Sequence, residues 1–165
     1  MCLRLSLLIW IFAQESMKQD RYNNRILQNL SSDGRITNAE LAEIVGLSPS
    51  ACLRRVQELE RQGVIKGYRA VFDKPLLGVG FVAYVMVGLK DHSKSAQQAF
   101  EENISKSDDV VECHNVTGTF EYLLRVETRD LAAYKEFHAD VLGITPYVQS
   151  INTHVVMETA KDKRA

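Results

Sequence analysis

Between Thr37 and Gln62 the run TNAELAEIVGLSPSACLRRVQELERQ starts one helix, stops it, and starts another with only a tight turn between them. Thr37-Asn38-Ala39-Glu40 is a capping box: the Thr37 hydroxyl accepts from the Glu40 amide while the Glu40 carboxylate reaches back. Leu41, Ala42, Ile44 and Val45 lie on or near the inner face of the helix that follows, and Gly46 closes it as a residue tolerating positive φ. Leu47 is the apolar turn residue. Ser48 is an N-cap, and Pro49 takes the first helical position, where its missing N–H costs nothing. Upstream, Ile26, Leu27 and Leu30 make a short helical stripe broken by Ser31-Ser32-Asp33-Gly34. Three helices with a Gly-containing turn between the last two form the helix-turn-helix arrangement.

The phase of the third helix decides which side faces out. Cys52, Val56 and Leu59 recur at i, i+4 and i+7 as the buried stripe, with Leu53 beside it. Arg54 then lies about 200° from Cys52, opposite the core. The exposed side chains of the N-terminal half are small or cationic: Ser48, Ser50, Ala51 and Arg54. Short residues permit close approach to a major groove, helix-end amides face phosphate, and arginine grips guanine through two hydrogen bonds. The competing reading is a solvated face in which Arg54 and Arg55 only pair with Glu58. Arg55, at the stripe's edge, suits a phosphate or an internal carboxylate better than a base. The candidate DNA-contacting set is Arg35, Thr37 and Asn38 with Ser48, Pro49, Ser50, Ala51, Arg54, Arg55 and Lys66.

Charge supports the division of labour. The formal net charge is −1, but residues 17–72 carry nine Lys/Arg against six Asp/Glu, and residues 73–165 carry ten against fourteen. A mildly basic front domain and an acidic back domain follow. Three widely spaced cysteines, Cys2, Cys52 and Cys113, make no disulfide framework and point to a reducing cytoplasm. The four histidines have no metal-ligand spacing, so neither metal nor cofactor is expected. Residues 1–16 include LSLLIWIFA, which is too short to span a bilayer and lacks a small-residue cleavage site. They read as an upstream extension outside the fold, with an export signal, Arg4 ahead of its apolar core, as the alternative.

Residues 64–72 alternate enough for a strand, and residues 73–80, with Pro75, Gly78 and Gly80, read as a linker joining domains 17–72 and 81–162. Phe81 to Lys90 is a strand apolar on both faces. Ser93 caps a helix with Ala96, Ala99, Phe100 and Ile104 inward. Val110 to Thr117 and Tyr122 to Thr128 are strands. Asp130 caps a helix carrying Leu131, Tyr134, Phe137, Val141 and Leu142 inward, ended by Gly143, and Val148 to Glu158 is the last strand. The order β-α-β-β-α-β predicts a ferredoxin-like unit and hence an α+β chain. Its helices cover one sheet face; the other, apolar through Val82, Tyr84 and Met86, implies a partner sheet and a dimer.

With both halves in view, the chain resembles the Lrp/AsnC (feast/famine) transcription regulators over about residues 17–162. DGRITNAELAEIVGLSPSACLRRVQELERQGVIKGYRAVFD is similar to the family's DNA-binding domain, and VTGTFEYLLRVETRD to its effector-domain signature. The resemblance implies a homodimer that assembles into tetramers or octamers, and a small effector, usually an amino acid, bound where dimers meet. It implies an effector site at Gly118, Thr119, Phe120, Glu121 and Tyr122, with Thr153 and His154 from the last strand. Glu121 stands where the motif usually has Asp, which moves the charge by roughly 1.5 Å, and Phe120 where Tyr is common. The plainer alternatives are a Gly118 that only serves the turn and a Glu121 that only pairs with Arg125. An effector-free architectural DNA binder is a further alternative. So is an enzyme similar to tetrapyrrole decarboxylases of this build, but four scattered histidines do not compose its cavity, and no catalytic residue is expected.

Overall fold

A computed structural model describes residues 20–162; the expectation for residues 1–16 lies outside that range. The chain divides into two compact units between Ala70 and Val71.

In the first unit, α1 spans Arg21–Ser32, α2 Asn38–Val45 and α3 Pro49–Arg61. Asp20 caps α1 by accepting from the Tyr22 amide at 2.9 Å. At α2 both arms of the capping box are present: the Glu40 amide donates to Thr37 Oγ1, and the Thr37 amide donates to Glu40 Oε2 at 3.0 Å. Gly46 ends α2 at φ +78°, and its N–H and that of Leu47 both reach the Ala42 carbonyl at 2.9 Å. Ser48 caps α3 with Pro49 at its first position. Ile26, Leu41, Ala42, Val45, Cys52 and Leu59 are the buried centre, ringed by residues such as Leu30, Val56 and Ile65.

Two inward assignments are corrected. Ile44 and Leu53 are each 45% exposed. Each stands about 100° off the mean direction of its helix's buried stripe, too far round to reach the core. The strand expected over residues 64–72 is also absent. Gly63 turns at φ +71°, and the Val64 and Ile65 amides fold back onto the Leu59 carbonyl at 2.9 and 3.2 Å. Residues 66–73 then run without regular structure, because no second strand among the described residues of this unit offers them a ladder.

In the second unit a 3₁₀ turn, Pro75–Leu77, precedes β1 (Phe81–Leu89), α4 (Lys94–Ile104), β2 (Val110–Asn115), β3 (Tyr122–Thr128), α5 (Leu131–Phe137) and β4 (Val148–Val155). The strands are ordered β2-β3-β1-β4, and every neighbouring pair is antiparallel. β2 and β4 are shorter than their apolar patterns, which run on past the last ladder partner. Ala83, Val85, Val87 and Leu89 of β1 and Tyr122, Leu124 and Val126 of β3 are buried with the helix residues Phe100, Ile104, Tyr134, Phe137 and Leu142. On the other face Val82, Tyr84 and Met86 are only half-buried, as alternation along a strand requires.

Leu131 is 65% exposed rather than inward, since the stripe that reaches the core begins one turn later at Tyr134. The helix also continues as a π-helical turn, His138–Leu142. Gly143 follows it at φ −66°, so glycine stands there for space rather than handedness: a Cβ would lie 2.8 Å from the Ala139 carbonyl oxygen.

Candidate nucleic-acid interface and effector turn

The cations of the first unit separate into two groups. Arg25 donates to the Val45 carbonyl at 3.2 Å and to that of Ile44, capping the C-terminus of α2 where orphan carbonyls collect. Arg55 is paired with Asp20, donates to Asn23 Oδ1 at 3.0 Å, and lies over the Tyr22 ring at 5.5 Å. Burial alone would raise the Asp20 pKa, but the Arg55 and Tyr22 hydrogen bonds together hold it below its ordinary value of 3.8. Arg55 therefore ties α3 to the start of α1, the internal-carboxylate alternative. Arg61 pairs with Glu58, whose pKa falls to about 2 through the Arg61 and Gln62 hydrogen bonds. Arg54 makes no ion pair with Glu58.

Arg35, Arg54, Lys66 and Arg69 are exposed, and their side chains make no ion pair or hydrogen bond among the described residues. Ser50 and Pro49 are exposed beside Arg54, and Ala51 is half-buried. Ser48 Oγ accepts from the Ala51 amide at 3.3 Å and lies 3.3 Å from Ser50 Oγ. Thr37 is committed to its capping box. Asn38 Nδ2 donates to the Pro49 carbonyl at 2.8 Å, so Asn38 positions α3 from α2; nothing in the sequence pattern marked that role.

In the second unit, Gly118 sits at φ +131° in the exposed turn between β2 and β3, a conformation that requires glycine. The turn is closed by the Val116 amide donating to the Glu121 carbonyl at 2.8 Å. Glu121 does not pair with Arg125, which instead meets Glu127 at 2.9 Å and Glu112 at 3.7 Å. Glu121 Oε2 accepts from the Leu89 amide at 2.7 Å, and Oε1 faces His92 Nδ1 at 3.2 Å.

The Leu89 amide is available because the β1–β3 ladder ends at Val87 and Tyr122, and Leu89, two residues beyond Val87, turns its N–H to that same open side. Gly88 leaves room there: a Cβ would meet Ser150 Oγ at 2.4 Å, Phe120 Cδ1 at 3.7 Å and Glu121 Oε2 at 3.8 Å. Gly88, Leu89, His92 and Ser150 therefore belong to this site, although no motif signalled them. A Gly at the end of an otherwise apolar strand was the one available hint.

The remaining candidates are not gathered there within the chain. Tyr122 is buried on the helix-covered face, where its hydroxyl donates to Glu101 Oε1 at 2.7 Å; burial and that bond push its pKa up to about 12. Thr153 pairs in register with Val85 and hydrogen-bonds the Tyr134 hydroxyl, whereas His154 pairs with Tyr84. Adjacent strand residues point to opposite faces, so Thr153 and His154 cannot both line one pocket of this chain.

Residues 82–165 match the Lrp/AsnC ligand binding domain, and residues 19–66 match a winged helix-turn-helix DNA-binding family. The leucine-responsive regulatory protein of Escherichia coli K12 is 39% identical over 142 residues, covering 86% of this chain and 87% of that one. A transcriptional regulator of Neisseria meningitidis, solved as an L-Met complex, superposes with a TM-score of 0.84 at 34% identity over 88% of this chain and 94% of its own. An AsnC family transcriptional regulator from Agrobacterium tumefaciens gives 0.82 at 32% identity, covering 87% and 94%. These matches, which span the capped tandem helices of one unit and the ferredoxin-like sheet of the other, place the chain in the Lrp/AsnC family of DNA-binding transcriptional regulators.

Proposed function

We propose that this regulator works in the cytoplasm as a homodimer, or a larger assembly of dimers, that reads duplex DNA with the start of α3 and answers to a small amino acid. Residues 17–72 carry the DNA contact, 73–80 link, and 81–162 bind effector and partner. No catalytic step is assigned to it. No described helix is long and apolar enough to cross a membrane.

The observation that carries the DNA reading is the sorting of arginines. Arg25, Arg55 and Arg61 are consumed by helix ends and carboxylates, while Arg54, at the exposed face of α3 beside Ser50, has no partner among the described residues. An unpaired guanidinium next to a small side chain at a helix's N-terminal half suits a guanine edge. Arg35 and Lys66 suit phosphates, which position without specifying. Gel-shift titration against one operator-length duplex and random competitor, at two salt concentrations, tests this: a large specificity ratio is expected, and equal affinity for both duplexes would refute it.

The partner sheet is supported by the half-buried Val82, Tyr84 and Met86, on the sheet face that no helix among the described residues covers. The amino-acid reading rests on the Gly118–Glu121 turn and on the L-Met complex of the Neisseria regulator. Thermal-shift screening against the twenty amino acids tests it. An effector-free binder is the second reading, favoured by a Glu121 whose two oxygens already have partners in the chain.

A further inference from the structure

We propose that His92 competes within the chain for Glu121 Oε1, the oxygen that the effector reading gives to an amino acid's ammonium group, and so sets how tightly amines bind. The proposal rests on the effector reading of the Gly118–Glu121 turn.

Glu121 has only 18% of its side chain exposed, so its carboxylate needs partners in place of water. The two it has are unequal. The Leu89 amide is backbone of β1, beyond the last β1–β3 pair at Val87 and Tyr122, and the sheet holds it in place against Oε2. His92 Nδ1, on Oε1, belongs to a side chain that is 70% exposed. Its backbone is anchored by its neighbours: Asp91 Oδ1 accepts from the Ser93 amide at 2.8 Å, and Ser93 caps α4. The ring makes no other hydrogen bond among the described residues. A rotamer change removes the ring without disturbing the chain, whereas nothing of that kind removes the Leu89 amide.

Oε1 is thus the exchangeable position of a carboxylate whose other oxygen is fixed. Gly88 packs against the other oxygen: a Cβ there would lie 3.8 Å from Oε2 and 2.4 Å from Ser150 Oγ. At Oε1 an ammonium group replaces an imidazole N–H with a stronger, charge-assisted contact. Because an exposed His–Glu contact is weak, removing the competitor tightens amine binding by about two- to fivefold rather than by orders of magnitude.

Isothermal calorimetry on the full chain, at one pH, tests the proposal with L-methionine, L-leucine and the des-amino compound 4-(methylthio)butanoate. His92→Ala binds the amino acids about two- to fivefold tighter than the native protein and leaves the des-amino acid unchanged. His92→Gln, whose amide still donates to Oε1, stays close to native. Equal or weaker amino-acid binding by His92→Ala overturns the competition, as does an equal gain for the des-amino acid, which would make His92 a steric plug. If native protein and both variants bind none of the probes, the effector reading itself falls and the competition with it. Binding by the native protein that His92→Ala leaves unaltered overturns the competition alone.

Discussion

Asn38 Nδ2 and the Pro49 carbonyl oxygen meet at 2.8 Å, joining the first residue of α2 to the first residue of α3. Asn38 Oδ1 is buried without a partner among the described residues, which hold the side chain by its donor end. The contact sets where the exposed start of α3 stands relative to α2, and a helix misplaced by a fraction of an ångström loses its base contacts before its phosphate contacts. Asn38→Ala is expected to cost about 1 kcal/mol or less of stability, one neutral hydrogen bond lost against one orphaned oxygen removed. Specific DNA affinity should fall several times more than non-specific affinity, as read by fluorescence anisotropy on the two kinds of duplex.

Neighbouring arginines should part company. Arg54→Ala should cost about 1–3 kcal/mol of specific binding and relax base preference while leaving the melting temperature in place. Arg55→Ala should lower the melting temperature instead, because Asp20 loses its partner and α3 its tie to α1. With both side chains about a third exposed, that loss stays near 1 kcal/mol. Melting curves beside anisotropy titrations separate the two, and similar profiles for both variants would remove the distinction.

Glu121→Ala should abolish any thermal upshift with an amino acid. It should also lower stability by about 1–3 kcal/mol, since the Leu89 amide is left without its acceptor. Sedimentation should find the dimer intact. A full upshift in this variant would place the ligand elsewhere.

Acid should act on the first unit through its depressed carboxylates. Asp20 sits below 3.8, and Glu58 at about 2 against an ordinary 4.5. Groups whose folded pKa is lowered stabilise the fold above their unfolded pKa, and that contribution drains away as pH falls through the folded value. The expected loss therefore runs from about pH 4.5 down to about 2. In Arg55→Met the Asp20 share should be gone already, so the stability gap between native and variant narrows below pH 3.8. A gap that widens on acidification would contradict this assignment.

Much of this was legible in the residues because caps and stops are local chemistry. Thr37, Glu40, Gly46, Ser48, Ser93 and Asp130 act within four residues of themselves, and each does in the structure what its type implies. What escaped depends on distant neighbours. Asn38 finds its acceptor eleven residues away, Arg55 its carboxylate thirty-five away, and Glu121 its amide thirty-two away. Periodicity misjudged Ile44, Leu53 and Leu131 because an apolar residue near a stripe is not necessarily in it. The alternation over residues 64–72 promised a strand, but a strand needs a ladder partner.

Selection of duplexes from a random pool by the native protein, sequenced beside a parallel selection with Arg54→Ala, tests the central claim most directly. Native protein should enrich a near-palindromic motif, its half-sites about one helical turn apart as a two-fold dimer dictates, with at least one guanine whose enrichment vanishes in the variant. If the native protein enriches no motif over the starting pool, or if Arg54→Ala enriches the same motif equally, the start of α3 is not the reading surface.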